Sequence, residues 1–289
     1  MYRCLIIGGS GFLGSHLSDY LLKKKHQVTI FDIKKSSWVK KNKNFIKGDI
    51  LNKKSLDRAI NNQDYVFLFA GLSDLDDALK RPIESIRLNI LGTALVAESC
   101  IKNKVKRLIY ASSIYANSEE GSFYRCSKRS AEDYILEYSK SKGLKFTILR
   151  YGSLYGPRSD NRNGLYKLLN NAIFNKNLTY YGFPHNQRKY LHVEDATRLT
   201  YKIFNKAKFE NKFLNLVGNK NIKIIDLFNL VKKILDCKLK TFFFKKIIVG
   251  HYVKKPTKLK INSGINLVAN PKRNFSESIR KYITYLNDK

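Results

Sequence analysis

Short apolar runs and helical periodicities alternate along the first half of the chain. "RCLIIGG" reads as a strand and 12–25 as the helix after it; "QVTIFDI" and "NFIKGDI" are strands, "SLDRAINN" is helical, and "DYVFLFAG" is a strand. A long helix over 82–103, a strand at "VKRLIYASS", a helix over 124–142 and a strand at "LKFTILRYG" complete this half. Successive residues of these runs are apolar, with no alternation, so both faces of the strands are expected to be covered. Such strands separated by helices predict a doubly wound α/β domain built on a parallel sheet. After Gly152 the rhythm loosens: helices near 163–176, 194–206, 224–236 and 275–287 mix with short strands such as "LTYYG" and "FLNLVG". The expected division is a sheet domain over 1–165, rejoined by about 188–217, and a smaller mixed α/β C-terminal lobe over 166–289 that closes over the C-terminal edge of the sheet.

Composition narrows the class. The chain has 289 residues and 43% hydrophobic content, enough for one large domain or two joined lobes. No run approaches the roughly 18 apolar residues that cross a bilayer, and "MYRCLIIGG" has neither a cationic leader nor a long apolar core, so neither a membrane span nor a signal peptide is expected. Cys4, Cys100, Cys126 and Cys237 are scattered without a CxxC pair, which fits a reduced, cytoplasmic protein with no structural metal. The net charge is +32, from 55 basic and 23 acidic residues. A nucleic-acid partner would use such charge. The lysines, however, are spread along the chain ("KKK" at 23–25, "KKNK" at 40–43, "KK" at 232–233 and 254–255) in a sequence rich in Asn, Ile, Phe and Tyr, as AT-rich coding produces. They read mainly as solvated surface, and a nucleic-acid partner is not expected.

Candidate chemistry starts at "LIIGGSGFLGSH", Leu5 to His16. Gly9-x-Gly11-x-x-Gly14 and Gly8-x-x-Gly11-x-x-Gly14 both fit a dinucleotide motif, and both lie between a predicted strand and a predicted helix. Glycines there let backbone approach a pyrophosphate, while the helix start offers free N–H groups and a positive dipole end. Asp32 closes the next strand, where a carboxylate binds ribose hydroxyls and repels a 2′-phosphate, so NAD is expected over NADP. Tyr124-Arg-Cys-Ser-Lys128 is a YxxxK spacing that sets both side chains on one helical face. Tyr20/Lys24, Tyr138/Lys142 and Tyr285/Lys289 share the spacing, but only Tyr124/Lys128 opens a helix shortly after a strand ending in a serine pair.

With "GGSGFLGSHL", "GDI" (48–50), "NILGT" (89–93), "KRLIYASS", "YRCSK", "LRYGSLYGPR" (149–158) and "QRKYLHVEDA" (187–196), the chain resembles, nearly end to end, the extended short-chain dehydrogenase/reductase family. The resemblance is to its NAD-dependent epimerase/dehydratase group, which acts on nucleotide sugars. It implies a Rossmann sheet, with Tyr124 as acid/base, its phenol pKa lowered by the Lys128 ammonium and the nicotinamide charge. Lys128 would also bind the nicotinamide ribose and Ser113 the reacting oxygen. NAD would lie against Gly8, Gly11, Phe12, Leu13, Gly14, Asp32, Ile33, Asp49, Ile50, Gly71, Asn89, Ser112, Tyr124 and Lys128. Ser113, Ser153 and Arg188 would face the substrate, with Arg188 on its diphosphate. A homodimer through helices near 85–103 and 124–142 is implied too, with Ala131, Tyr134, Ile135 and Tyr138 as its apolar face.

The chain departs from the family on the substrate side. The loop from Ser113 to Tyr124 is short, which leaves open whether Ser112 or Ser113 faces the sugar. Ser153 replaces an asparagine and Lys189 an aspartate. Ile114 and Tyr115 follow the serine pair where dehydratases and decarboxylating members carry acidic residues, and Glu119 and Glu120 lie only in the shortened loop. The resemblance thus implies plain redox at a secondary alcohol: a nucleotide-sugar epimerase working by transient oxidation at the sugar C4. The alternatives are a dehydrogenase or ketoreductase on a nucleotide-linked sugar, and a non-catalytic nucleic-acid-binding protein on the same fold.

Overall fold

The computed structural model describes residues 1–39, 44–244, 251 and 263–288. The lysine runs at 40–43 and 254–255 lie outside the described residues, as does Lys289.

Strands β1 (Arg3–Ile7), β2 (Gln27–Asp32) and β3 (Asn44–Lys47) pair in parallel, with α1 (Phe12–Lys23) linking the first two. The chain then crosses through α2 (Lys53–Ile60) to β4 (Tyr65–Leu68) on the other side of β1. Helices α3 (Leu75–Lys80) and α4 (Pro82–Ser85), a π-helical turn (Ile86–Leu91) and α5 (Gly92–Lys102) lead to β5 (Arg107–Ser113). A short helical turn (Ile114–Asn117) and α6 (Ser122–Lys142) lead to β6 (Phe146–Tyr151). Beyond it lie β7 (Ser153–Tyr155), α7 (Gly164–Phe174), β8 (Asn177–Tyr181), β9 (Gln187–Arg188), β10 (Tyr190–His192), α8 (Val193–Ile203) and β11 (Lys212–Val217). Last come β12 (Ile222–Lys223), α9 (Ile224–Leu235), β13 (Lys240–Phe244), β14 (Ile265–Val268) and α10 (Phe275–Asn287).

The central sheet has eight strands in the order β3-β2-β1-β4-β5-β6-β11-β14, parallel throughout. Its strand order reverses between β1 and β4, which opens a crevice at their C-terminal ends. Each face is sealed by its own core. Leu5, Ile7, Val66, Leu68 and Tyr110 pack with Ala97, Cys100, Ala131 and Ile135 on one side. Cys4, Ile6, Phe67, Ile109 and Leu149 pack with Leu17, Leu21 and Phe204 on the other. This two-sided burial is why neighbouring residues of each strand are apolar. A third core of Leu169, Phe228, Val231, Tyr282 and neighbours fills the lobe. Asn52, Asp74, Asn163 and Asn274 cap α2, α3, α7 and α10 by accepting N–H bonds from the first turns.

Two features differ from the sequence expectation. β14 belongs to the central sheet, pairing with β11, although 166–289 was expected as lobe. It is a four-residue edge strand in which Leu267 faces the core while Ile265 and Val268 stay exposed, too short for a distinctive pattern. Ala131 and Ile135, expected on a dimer face, are instead fully buried in the core of their own chain. Among the described residues no helix is long and apolar enough to cross a membrane.

Candidate active site

The crevice between β1 and β4 is walled by glycine. Gly8, at φ 85°, gives its N–H to Phe31 O at 2.8 Å, and a Cβ on it would collide with the Ala70 backbone across the crevice. A Cβ on Gly14 would strike Gly8 O, so α1 can press onto the loop only with glycine there. Gly11 is exposed, with nothing nearer its Cβ position than Gly8 O at 3.3 Å. The start of α1, with Phe12 and Leu13, has no side-chain cap and no acidic residue in its first turn. Its free N–H groups and positive dipole end are therefore available to an anion. The Ser10 hydroxyl is buried there without a partner among the described residues, and Asp32 tethers the loop by accepting the Ser10 N–H at 3.0 Å and the Lys34 N–H at 3.4 Å. An open cradle, unused donors and a carboxylate at the end of β2 fit a dinucleotide.

The flanking residues have distinct situations. Ile33 is exposed beside Asp32. Asp49 is exposed and accepts Leu51 N–H at 2.9 Å, whereas the Ile50 side chain is buried against Gly92, so what it offers a nucleotide is its backbone. Gly71 follows β4 at φ 139° and lies against Asn89. Asn89 is itself buried. It accepts Leu72 N–H at 2.8 Å and donates to Leu72 O at 3.0 Å and Ser127 Oγ at 2.9 Å. It bolts the loop after β4 to α6.

The chemistry is set by β5 against α6. Ser113 Oγ accepts Tyr115 N–H at 3.3 Å and hydrogen-bonds the Tyr124 hydroxyl. Lys128 is buried, donates to Ala111 O at 2.9 Å and holds its Nζ 4.9 Å from the Tyr110 ring centre. Ser112 points elsewhere: its hydroxyl donates to Glu132 Oε1 at 2.6 Å. Ser113 is therefore the serine at the tyrosine, and the Ser112 side chain, expected at the cofactor, is engaged inside the protein. A second expectation changes too. Burial pushes Tyr124 up to about 12, with Asp74 adding to the rise and only the Ser113 hydrogen bond opposing it. Burial pushes Lys128 itself down to about 8, with Glu132 opposing.

On the substrate side, Ser153 begins β7, which pairs with β10 in register with Tyr190. Arg188 lies in β9, donating to Gln187 O at 2.8 Å and Tyr180 Oη at 3.2 Å. Lys189 beside it is exposed. His251 sits 3.5 Å from Asp76 and within the electrostatic reach of Arg188 and Asp74, while Asp74 acts on Tyr124. Arg188, His251, Asp76, Asp74 and Tyr124 are thus linked in series by electrostatic contacts. Asp74, Asp76, His251 and Glu132 were not singled out from the sequence. Asp74 and Asp76 had a signal in "SDLDDALK", an N-cap pattern directly after the strand of the switch point; His251 had none.

Residues 4–216 match the profile of the NAD dependent epimerase/dehydratase family. A dTDP-D-glucose 4,6-dehydratase of Dictyostelium discoideum is 30% identical over 271 residues, a match covering 81% of this chain and 62% of that protein. A UDP-N-acetyl-alpha-D-glucosaminuronate decarboxylase of Bacillus cytotoxicus is 31% identical over 263 residues, covering 77% of each chain. In fold, the chain superposes on a UDP-glucuronic acid 4-epimerase from Bacillus cereus, solved with UDP-glucuronic acid and NAD. That likeness has a TM-score of 0.87 at 22% identity, over 99% of both chains. A UDP-N-acetylglucosamine 4-epimerase from Methanobrevibacter ruminantium M1 gives 0.86, also at 22% identity. With its glycine cradle at the sheet's switch point and a profile match over most of its length, this chain belongs to the NAD-dependent epimerase/dehydratase family.

Proposed function

We propose that the protein is an NAD-dependent epimerase of a nucleoside-diphosphate sugar that works by transient oxidation at the sugar C4. The observation that carries this reading is the meeting of Ser113, Tyr124 and Lys128 at the end of β5, beside a cradle fit for a dinucleotide. In this reading the glycine loop and α1 hold the pyrophosphate, Asp32 the adenosine ribose, and 1–165 with 188–217 the whole cofactor. The remainder of 166–289, with Arg188 facing the diphosphate, encloses the sugar.

When bound, the nicotinamide would take a hydride from C4 and return it to the other face. Ser113 holds the C4 oxygen, and Tyr124 takes the hydroxyl proton and later gives it back. Lys128 holds its ammonium near that exchange, anchored on Ala111 O. A phenol at about 12 keeps its proton at neutral pH and only its phenolate can accept another, so in this reading added positive charge must first draw Tyr124 down. That ties proton removal to an occupied cradle.

Ile83, Ile86, Leu91, Phe123 and Tyr134 are exposed apolar residues on α4, the π-helical turn and α6. They support a homodimer through these helices, with Tyr134 kept from the expected face. Cytoplasmic residence accords with the reduced cysteines.

The first test is mass spectrometry of nucleotides released on denaturation, followed by incubation with UDP-glucose, UDP-N-acetylglucosamine and UDP-glucuronic acid. Retained NAD and interconversion of C4 epimers are expected. An empty site, or NADP with net reduction of a keto sugar, would turn the reading into a ketoreductase.

A further inference from the structure

Three consecutive residues of β5 are held by one stripe of α6. Ser113 is bonded to Tyr124, the Ala111 carbonyl to Lys128, and Ser112 to Glu132. Positions 124, 128 and 132 are spaced four apart, so they rise along one helical face. The last of the three ties is the most elaborate. Glu132 Oε1 accepts from Ser112 Oγ at 2.6 Å and from Arg150 Nε at 2.8 Å, while Oε2 accepts from Arg150 Nη2 at 2.5 Å. Both side chains of this ion pair are 2% exposed, and the Arg150 guanidinium lies 4.9 Å from the Phe213 ring centre. A buried ion pair is a poor route to stability, because desolvation offsets most of its attraction.

We propose that the Glu132–Arg150 pair is a positioning element of the active site. It sets the register of the β5 end on α6, so that Ser113 meets Tyr124, and it places a carboxylate one turn from Lys128. The inference rests on the proposed reaction for its kinetic readout but not for its electrostatic one. Among the described residues, the titratable and charged groups around Lys128 are Tyr124 and Glu132 on α6, Tyr110 on β5, and Arg150 on β6 behind Glu132. Among these Glu132 alone is an anion. It is the group that opposes the downward push of burial on the lysine.

Two variants test the two halves. Glu132→Leu/Arg150→Met replaces the pair with apolar side chains of similar volume, an exchange that buried pairs generally tolerate. It is expected to melt cooperatively near the wild-type temperature, with Lys128 titrating at lower pH than in the wild type. The titration is followed by NMR of lysine labelled at Cε, assigned with Lys128→Arg. Turnover of the nucleotide sugar is expected to fall about 100-fold with KM changed less than twofold, as for slight misplacement of reacting groups. Ser112→Ala leaves every charge in place. It should keep the wild-type Lys128 midpoint and lose about tenfold in turnover, the worth of one buried hydrogen bond. A folded double variant with unchanged Lys128 midpoint and turnover would reduce the pair to packing, and wild-type turnover in Ser112→Ala would overturn the register half. Should the wild type turn over no nucleotide sugar, the proposed reaction fails, while the Lys128 titration still decides the electrostatic half. Should the double variant not fold, Ser112→Ala decides the register half.

Discussion

At the scale of single residues, the site works against its own burial. Tyr124 stands at about 12 and Lys128 at about 8 because both are taken from water, so at neutral pH the phenol keeps its proton and the ammonium its charge. In the proposed reaction Tyr124 exchanges the substrate proton, and removing its phenol oxygen leaves the glycine cradle in place. Tyr124→Phe is therefore expected to lose about 1,000-fold in turnover while binding NAD normally, as measured by steady-state rates beside calorimetric titration. The sign for Lys128 follows from its direction of shift: a lysine pushed below its ordinary value loses its ammonium as pH rises through the lowered value. Turnover should then decline on the alkaline side from about pH 8, and a flat profile up to pH 10 would contradict a role for the charged lysine.

At the scale of elements, the π-helical turn and the loop after β4 act as a unit through Asn89. Its three hydrogen bonds join the Leu72 backbone to Ser127 of α6, and Ser127 Oγ in turn donates to Tyr124 O at 3.0 Å. Asn89→Ala leaves buried partners unmade, and a destabilisation of about 3 kcal/mol by urea denaturation is expected. Much of this level was legible in the sequence, because strands buried on both faces read as unbroken apolar runs. β1, β2, β4, β5 and β6 fall where "CLII", "VTIF", "YVFL", "RLIYASS" and "FTILRY" lie. The short pairings β7–β10, β8–β13 and β9–β12 were not legible, since two to five residues carry no period. Nor was the Glu132–Arg150 tie. In sequence a buried glutamate on a lysine-rich helix looks the same as one in solvent, and the direction of the Ser112 hydroxyl depends on that hidden carboxylate.

At the scale of the whole molecule, the sheet is one continuous layer of eight strands, but its last two come from chain beyond the first half. β11 pairs with β6 on its outer side and β14 pairs with β11 at the edge, and α8 packs on α1 on the same face of the sheet as Leu17 and Leu21. The exposed Ile86 and Tyr134 give the proposed homodimer a direct test. The wild type should elute at twice the mass of one chain by light scattering, and Ile86→Asp/Tyr134→Asp at the mass of one. Retained turnover in that monomer would mean that each site is complete within its own chain. The net charge of +32 belongs to this scale too. Any retention on a polyanion column should vanish steeply with salt, as for delocalised surface charge.

The strand order also fixes a sequence of events in time. Gly8 to Gly14, Asp32, Asn89, Ser113, Tyr124 and Lys128 all precede β6, whereas Arg188, β11 and β14 follow it. As the chain leaves the ribosome, the glycine cradle, Asp32 and the proposed Ser113, Tyr124 and Lys128 site emerge before Arg188 and the strands that complete the sheet. Domains generally fold in the order they are made. A nascent chain stalled after β6 would thus expose the cradle while the outer edge of its sheet, at β6, still lacks its neighbour. Cellular NAD could act there as a template for the first half, well before a substrate could be held.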